Sequence, residues 1–334
     1  MPGSVSVVVP CYNYGRYLRQ CVDSILAQDV DLNVDIIDDA STDDTEQVGS
    51  ELAAEHGRVT YRRHAHNIGH IATYNEGLDR ADGTYSLLLS SDDLLAPGAL
   101  RRATDVLENH PDVALLYGEW VEFRGDTPPP MIASLADPDV RIWDGAEFVA
   151  QCCREVWNPI NTPTAIVRTS VQKSVGGYYP SLPHSGDMEM WLRLATRGRV
   201  AELRGVIQAY YRVHDNNISR NWFYDWLLND REFRAAYETF FADQATFIEN
   251  RDELRLQCSQ RLAERGIWWS WHKLRRRQFR SALDCLKHSL STWNGCPEDE
   301  IGICDLIDVV KPISHAVRQR HRRKRSRHSD PVAS

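Results

Sequence analysis

Two pairs of adjacent carboxylates, Asp38-Asp39 and Asp92-Asp93, each follow an apolar run: "NVDII" before the first and "TYSLLL" before the second. Carboxylates crowded this way repel and raise each other's pKa values unless a cation or hydrogen-bond donors offset them. A divalent hard cation is the economical partner, because Mg²⁺ takes one or two protein carboxylates and completes its shell with substrate phosphates and water. Each pair also has a plainer reading as a turn and helix N-cap, and "DDASTDDT" is rich in capping residues. Two pairs at the same edge of one sheet favour a ligand site over capping alone.

The elements that would bring the pairs together can be read from periodicity. "VSVVV" (Val5 to Val9) is a β-branched run closed by Pro10, as in a buried parallel strand. From Arg16 to Gln28 the chain spaces Tyr17, Cys21, Ile25 and Leu26 along one helix face. Strand and helix then alternate: "NVDII" and Asp43 to His56, "RVTYR" and Ile71 to Ala81, "TYSLLL" and Ala99 to Asn109, then "DVALLYG". This spacing predicts an α/β fold with a doubly wound, mostly parallel sheet, whose ligands sit beyond the carboxyl ends of the strands. Four prolines between Gly125 and Asp139 mark an irregular connection. Strand and helix signals resume at "TAIVR", at Asp187 to Arg197 and at "VIQAYYRVH", and beyond Trp222 the pattern is helical to about Val310. Residues 1–220 are therefore expected to form the α/β domain, 221–316 a helical region and 317–334 a basic tail.

Composition narrows the classes. With 334 residues, 42% hydrophobic and 26% charged, the chain can bury a substantial core. The net charge of -8 conceals "RQRHRRKRSR", in which seven Lys or Arg stand without one Asp or Glu. Such a run is a solvated tail, or a site of attraction to anionic lipid. None of the eight cysteines forms a C-x-x-C pair, so reduced, buried thiols are expected. Met1 to Ser4 lead straight into Val5 without a basic and then apolar leader, and no stretch of about 18 apolar residues occurs. A cytoplasmic location is expected, with any membrane contact peripheral, and no nucleic-acid partner is expected. The first turn, "VVVPCYNYGRYL", holds only Gly15 where a dinucleotide fingerprint needs three glycines, and there is no phosphate-binding G-x-x-x-x-G-K-[ST] loop.

"VSVVVPCYNYGRYLRQCVDSILAQ", "VDIIDDASTDDT", "HNIGHIATYNEGLDRADGTYSLLLSSDD" and "SGDMEMWLRLATRG" resemble, in order, the motifs of glycosyltransferase family 2, the inverting nucleotide-sugar transferases of GT-A fold. The resemblance covers about residues 4 to 215. It implies donor binding by Pro10, Tyr12, Asp38, Asp39, Asn67, Gly69, Asn75 and Asp92, and a Mg²⁺ or Mn²⁺ ion at Asp93 with His214 nearby. It implies that Asp187 is the general base for an acceptor hydroxyl. The usual L-D-x-D-D appears as "LSSDD", Tyr74 stands where many members carry Arg, and Gly186 precedes Asp187 in place of Glu.

The resemblance thus implies metal-dependent, inverting transfer of a hexosyl or N-acetylhexosaminyl group from a nucleoside diphosphate sugar, with UDP-sugars the commonest donors. Competing readings are a nucleotidyltransferase and a non-catalytic sugar-nucleotide-binding protein. The aromatic clusters "NWFYDW" and "IWWSW" read as packing, and the helical region as an acceptor site or an oligomer contact.

Overall fold

The computed structural model describes residues 3–127, 138–215, 217, 225–243 and 248–295. The alternating signals become β1 (Val5–Cys11), α1 (Gly15–Leu26), β2 (Leu32–Asp38), α2 (Thr45–Glu55), β3 (Val59–Arg63), α3 (His70–Arg80), β4 (Tyr85–Leu88), β5 (Leu94–Leu95), α4 (Ala99–Asn109) and β6 (Val113–Phe123). They continue as β7 (Asp139–Trp143), α5 (Gly145–Glu155), β8 (Ile166–Arg168), α6 (Thr169–Val175), α7 (Gly186–Ala195) and β9 (Arg199–Arg212). Three long helices follow, α8 (Trp226–Asp243), α9 (Arg251–Arg275) and α10 (Phe279–Asn294).

The sheet runs β3-β2-β1-β4-β8-β6-β9-β5, with β7 paired to β9. β3, β2, β1 and β4 are mutually parallel, and so are β6 and β9; β8 runs antiparallel between β4 and β6. The chain winds outward from β1 to β3 and then returns to place β4 on the other side of β1. That reversal opens a crevice at the carboxyl ends of β1 and β4, where a ligand meets two strand ends at once.

Every residue of β1 is buried, as expected for a parallel strand covered on both faces. Val7 and Val9 join Leu18, Ile25, Leu52 and Leu100 on one face of the sheet, while Val8 joins Leu78, Phe148, Met190 and Trp191 on the other. The strand period of two thus splits one valine run between two cores. Ala236, Tyr237, Phe240, Phe241, Leu254 and Leu262 of α8 and α9 belong to the second core. Tyr237 donates from its hydroxyl to the Cys152 carbonyl at 2.7 Å, so the helical region packs directly onto the α/β layers. Cys11, Cys21, Cys152, Cys153, Cys258 and Cys285 are buried free thiols. The basic tail and the helix expected beyond residue 295 lie outside the described residues.

Three features depart from the sequence pattern. "DVALLYG" follows "TYSLLL" as the next strand of the alternating series, yet the antiparallel "IVR" strand stands between the two in the sheet. "DVRIW" and the helix after it were missed because the prolines before them read as one irregular connection. β9 begins seven residues earlier than the apolar run that signalled it, at Arg199 rather than Val206. Gly205, at φ 76°, breaks the alternation, and the pairing with β6 shifts register there.

One ion pair fixes the helix that carries Asp187. Arg193 and Glu189 pair at 2.8 Å within α7, both almost wholly buried, and the guanidinium also donates to the Val175 and Gly177 carbonyls. Arg193→Met should leave Glu189 buried without its cation and cost about 3–5 kcal/mol of folding stability, read as a lower urea midpoint. A loss under about 0.5 kcal/mol, the size of a surface substitution, would contradict this role.

Candidate active site

The crevice is a cleft of about 850 Å³. Pro10 and Tyr12 reach it from the end of β1, Asp39 from the end of β2, Asn67 and Gly69 from the loop before α3, Asp92 and Asp93 from the turn after β4, and Asp187 from the first turn of α7. Residues spread over almost 180 positions of sequence are therefore gathered in one place.

The two loops on the β1 and β2 side pin each other. The Asp39 N–H donates to the Cys11 carbonyl at 2.9 Å, and the Asn13 amide oxygen accepts from the Thr42 N–H at 2.7 Å. Asn13 sits at φ 59°, a conformation that asparagine tolerates better than most residues. Asp39 accepts from the Ile68 and Gly69 N–H groups at 2.8 and 2.9 Å, with Gly69 at φ 89° to turn its amide toward the carboxylate. His64 bridges Asp39 (Nδ1, 2.8 Å) and Glu76 (Nε2, 2.9 Å). Burial weakens its protonated form, but the two carboxylates outweigh this and hold the imidazole pKa above its ordinary value.

Asp38 and Asn75, both expected to touch the donor, stand behind the cleft wall rather than on it. Asp38 is fully buried and accepts from the Ser41 N–H at 2.8 Å and the Tyr61 hydroxyl at 2.7 Å, with the Arg63 Nε at 3.4 Å. Its side chain points back toward β3 and orders the loop that follows it. Asn75 brackets the Tyr178 backbone, accepting its N–H at 2.6 Å and donating to its carbonyl at 2.9 Å. This tie holds the 177–178 segment against α3, and Tyr178 itself lines the cleft.

Asp92 and Asp93 are only 5% and 1% exposed, so their charges are largely removed from water. Burial and then the neighbouring charge of Asp92 push the Asp93 carboxyl well above the usual carboxylate range; Arg212 opposes the shift. The Arg212 N–H donates to Asp93 Oδ1 at 2.9 Å and its Nε to the Asp92 carbonyl at 2.8 Å. Its guanidinium also reaches the Gln20 side chain and the Gly125 carbonyl, between the rings of Tyr17 and Phe123. His214 meets Asp92 Oδ2 through Nε2 at 3.0 Å and stacks on Tyr17, so it orients the pair from behind.

These hard carboxylate oxygens at the cleft wall fit Mg²⁺ or Mn²⁺, whose charge would favour the ionised form of Asp93 that burial disfavours. Among the described residues no three or more His, Cys, Asp or Glu form a self-contained metal cage. A divalent ion that relies on substrate phosphates does not need one.

Asp187, which lines the same cleft, accepts its neighbour Met188 N–H on Oδ1 at 2.7 Å, and its Oδ2 has only long contacts to Asn158 (3.3 Å) and Thr162 (3.4 Å). Burial raises this carboxyl to about 6, against the lowering effect of those donors. Next to Asn158, Trp157 is 59% exposed and lines the cleft; Val156 before it takes φ 47°, a costly conformation for a β-branched residue. Trp120, Glu122, Asn229, Glu232 and Phe233 also line the cleft, the last three from α8. Trp222, Phe223 and Tyr224 of the aromatic cluster lie outside the described residues.

Sequence reasoning missed Arg212, His64, Asn158 and Trp157. Arg212 stands inside "YYRVHDNN", where an arginine in an apolar strand was a signal of a buried partner.

Residues 6–170 match the profile described as "Glycosyl transferase family 2". An uncharacterized glycosyltransferase of Haemophilus influenzae is 26% identical over 219 residues, spanning 64% of this chain and 67% of the relative. The poly(ribitol-phosphate) beta-N-acetylglucosaminyltransferase TarS of Staphylococcus aureus is 27% identical over 212 residues, 62% of this chain but only 35% of its own length. The crystal structure of TarS 1-349 in complex with UDP-GlcNAc superposes with a TM-score of 0.61 at 17% identity, covering 86% of this chain and 81% of that one. The mannosyltransferase PcManGT from Pyrobaculum calidifontis, in complex with GDP-Man and Mn²⁺, gives 0.56 at 16% identity, covering 95% and 81%. The ordered strand ends, the acidic pair beside β1 and the matching profile lead to one assignment: residues 6–170 are a glycosyltransferase family 2 domain, in a chain of GT-A fold.

Proposed function

We propose that this chain moves a sugar from a nucleoside diphosphate sugar, by preference a UDP-sugar, to an acceptor hydroxyl, with inversion and with Asp187 as general base. The observation that carries this reading is a carboxyl pushed to about 6 that shares one cleft with the buried Asp92-Asp93 pair. A base with that pKa is ionised at neutral pH, yet basic enough to take a proton as the hydroxyl attacks. The Met188 N–H and the start of α7 hold one Asp187 oxygen, leaving the weakly bonded Oδ2 to accept the proton.

On this reading Pro10, Tyr12, Asn67 and Gly69 form the nucleotide side of the cleft, with the Asp39 carboxylate shaping it. UDP-GlcNAc in the S. aureus neighbour supports a uridine nucleotide, while GDP-Man in the archaeal one keeps the base a matter for experiment. A Mg²⁺ or Mn²⁺ ion held by Asp93, with Asp92 beside it, would supply Lewis-acid stabilisation of the leaving diphosphate. Arg212 and His214 keep that pair in place. Trp120, Trp157, Glu122 and the α8 residues form the acceptor side, so the helical region shapes acceptor choice.

Three outcomes are expected. Asp187→Asn should lower kcat about 100-fold or more while leaving UDP affinity unchanged; more than about a tenth of wild-type turnover would contradict the base assignment. The pH profile of kcat/KM should fall tenfold per unit below a midpoint near 6, because protonated Asp187 cannot accept a proton. A limb with its midpoint below about 5, in the ordinary carboxylate range, would assign the titration to another group. Asp38→Asn should cost about 1–3 kcal/mol of stability with UDP affinity within about threefold of wild type, since its acceptors serve the loop. A tenfold loss of UDP affinity at unchanged stability would instead put Asp38 in contact with the donor.

A further inference from the structure

The turn between α9 and α10 combines exposed aromatic rings with unopposed positive charge, and the cleft uses neither. From Trp268 to Leu283 the chain carries five Lys or Arg residues and no Asp or Glu: Lys273, Arg275, Arg276, Arg277 and Arg280. Trp268 is 57% exposed, Trp271 62% and Phe279 67%. Leu274 and Leu283 are also exposed, as is every residue from Leu274 to Arg280.

These rings are not needed to hold the hairpin together. The inner face of α9 packs on α10 through small residues. Ser270 donates to the Ala282 carbonyl at 2.7 Å, and a Cβ at Gly266 would stand 1.9 Å from the Ser289 hydroxyl. Of the three tryptophans in "IWWSW", Trp269 is the one that packs inward, stacked on Trp226 at 5.5 Å between centroids. The packing reading of that cluster therefore holds for Trp269, while Trp268 and Trp271 face outward with Arg275 along one helical stripe. Isolated exposed apolar residues are ordinary on a protein surface, but a cluster of large ones rimmed by polar groups marks an interaction site.

We propose that Trp268, Trp271 and Phe279, ringed by Arg275, Arg276, Arg277 and Arg280, dock the protein on the surface of an anionic lipid bilayer. The chemistry matches that surface on two counts. Aromatic side chains settle at the headgroup boundary, and each basic residue adds attraction to anionic lipid. A second copy of this chain is a poorer occupant. A two-fold interface sets the same patch against itself, and the arginines would face arginines.

The test is sedimentation of the full chain with vesicles of phosphatidylcholine alone and of an equimolar mixture with phosphatidylglycerol. The protein should partition onto the mixed vesicles and not onto phosphatidylcholine. Trp271→Ala with Phe279→Ala should weaken partitioning at least about tenfold, and Arg276→Gln, Arg277→Gln and Arg280→Gln together should do the same while flattening its salt dependence. All these residues are exposed, so unchanged thermal melts are expected to show that the variants remain folded. A chain with the seven basic residues of 318–327 changed to Gln should keep binding within about threefold if the turn is the main anchor. Failure of the full chain to bind mixed vesicles overturns the proposal. So does loss of binding in the tail variant alone, or wild-type vesicle binding by the aromatic double variant. If the arginine variant loses heparin binding while the aromatic one leaves vesicle binding intact, the surface is a polyanion patch and the proposal also fails. No outcome depends on the catalytic assignment.

Discussion

Two carboxylates side by side, almost out of contact with water, cannot both be ionised without compensation. In this protein the compensation is Arg212. Its guanidinium is itself buried between Tyr17 and Phe123, and its backbone and Nε hold Asp93 and Asp92 in a tight turn after β4. The arrangement is costly on both sides, since a buried cation and a buried anion pair must each be removed from water. What it gains is position, because the acidic pair is held at the edge of the crevice with its charge only partly neutralised. Asp93 is left with a raised pKa, and a cation arriving with a phosphate ligand would relieve the repulsion that Arg212 leaves.

The rest of the fold follows from the need to put other groups opposite that turn. The reversal of strand order between β1 and β4 opens the crevice, and two loops that hydrogen-bond each other line it beside those strand ends. Asp38, Asn75 and Arg193 serve this purpose without reaching the cleft. Asp38 orders the loop that carries Asp39, Asn75 holds the segment that carries Tyr178, and Arg193 anchors the helix that presents Asp187. Helices α8 and α9 share a core with the sheet and α8 lines the cleft, so on the proposed reading acceptor choice is built into a part of the chain beyond the matched profile.

Much of this was legible in the sequence for a simple reason. Buried parallel strands read as unbroken apolar runs, and the residues that follow each run fall at the same sheet edge. The positions of Asp39, Asp92 and Asp93 therefore followed from pattern alone. The placement of Asp187 came with the family resemblance, because its helix is remote in sequence. What pattern could not tell was side-chain direction. Asp38 and Asp39 are neighbours, yet a strand points successive side chains to opposite faces, so one turns to Tyr61 and the other to the cleft. The antiparallel insertion of β8 was equally hidden, since three residues of "IVR" carry no mark of strand direction. Nor could the exposure of Trp268 and Trp271 be separated from the inward stacking of Trp269 on Trp226 by sequence pattern.

On the proposed reading the buried acidic pair after β4 binds a nucleoside diphosphate together with a divalent cation. Calorimetric titration with UDP, dTDP and GDP, each with and without Mn²⁺, tests it most directly when run on the wild-type chain and on Asp93→Ala. Metal-dependent binding of one nucleotide, UDP first, is expected, and is lost in the variant. Binding that is indifferent to Mn²⁺ and to Asp93, or absent for all three nucleotides, would contradict it.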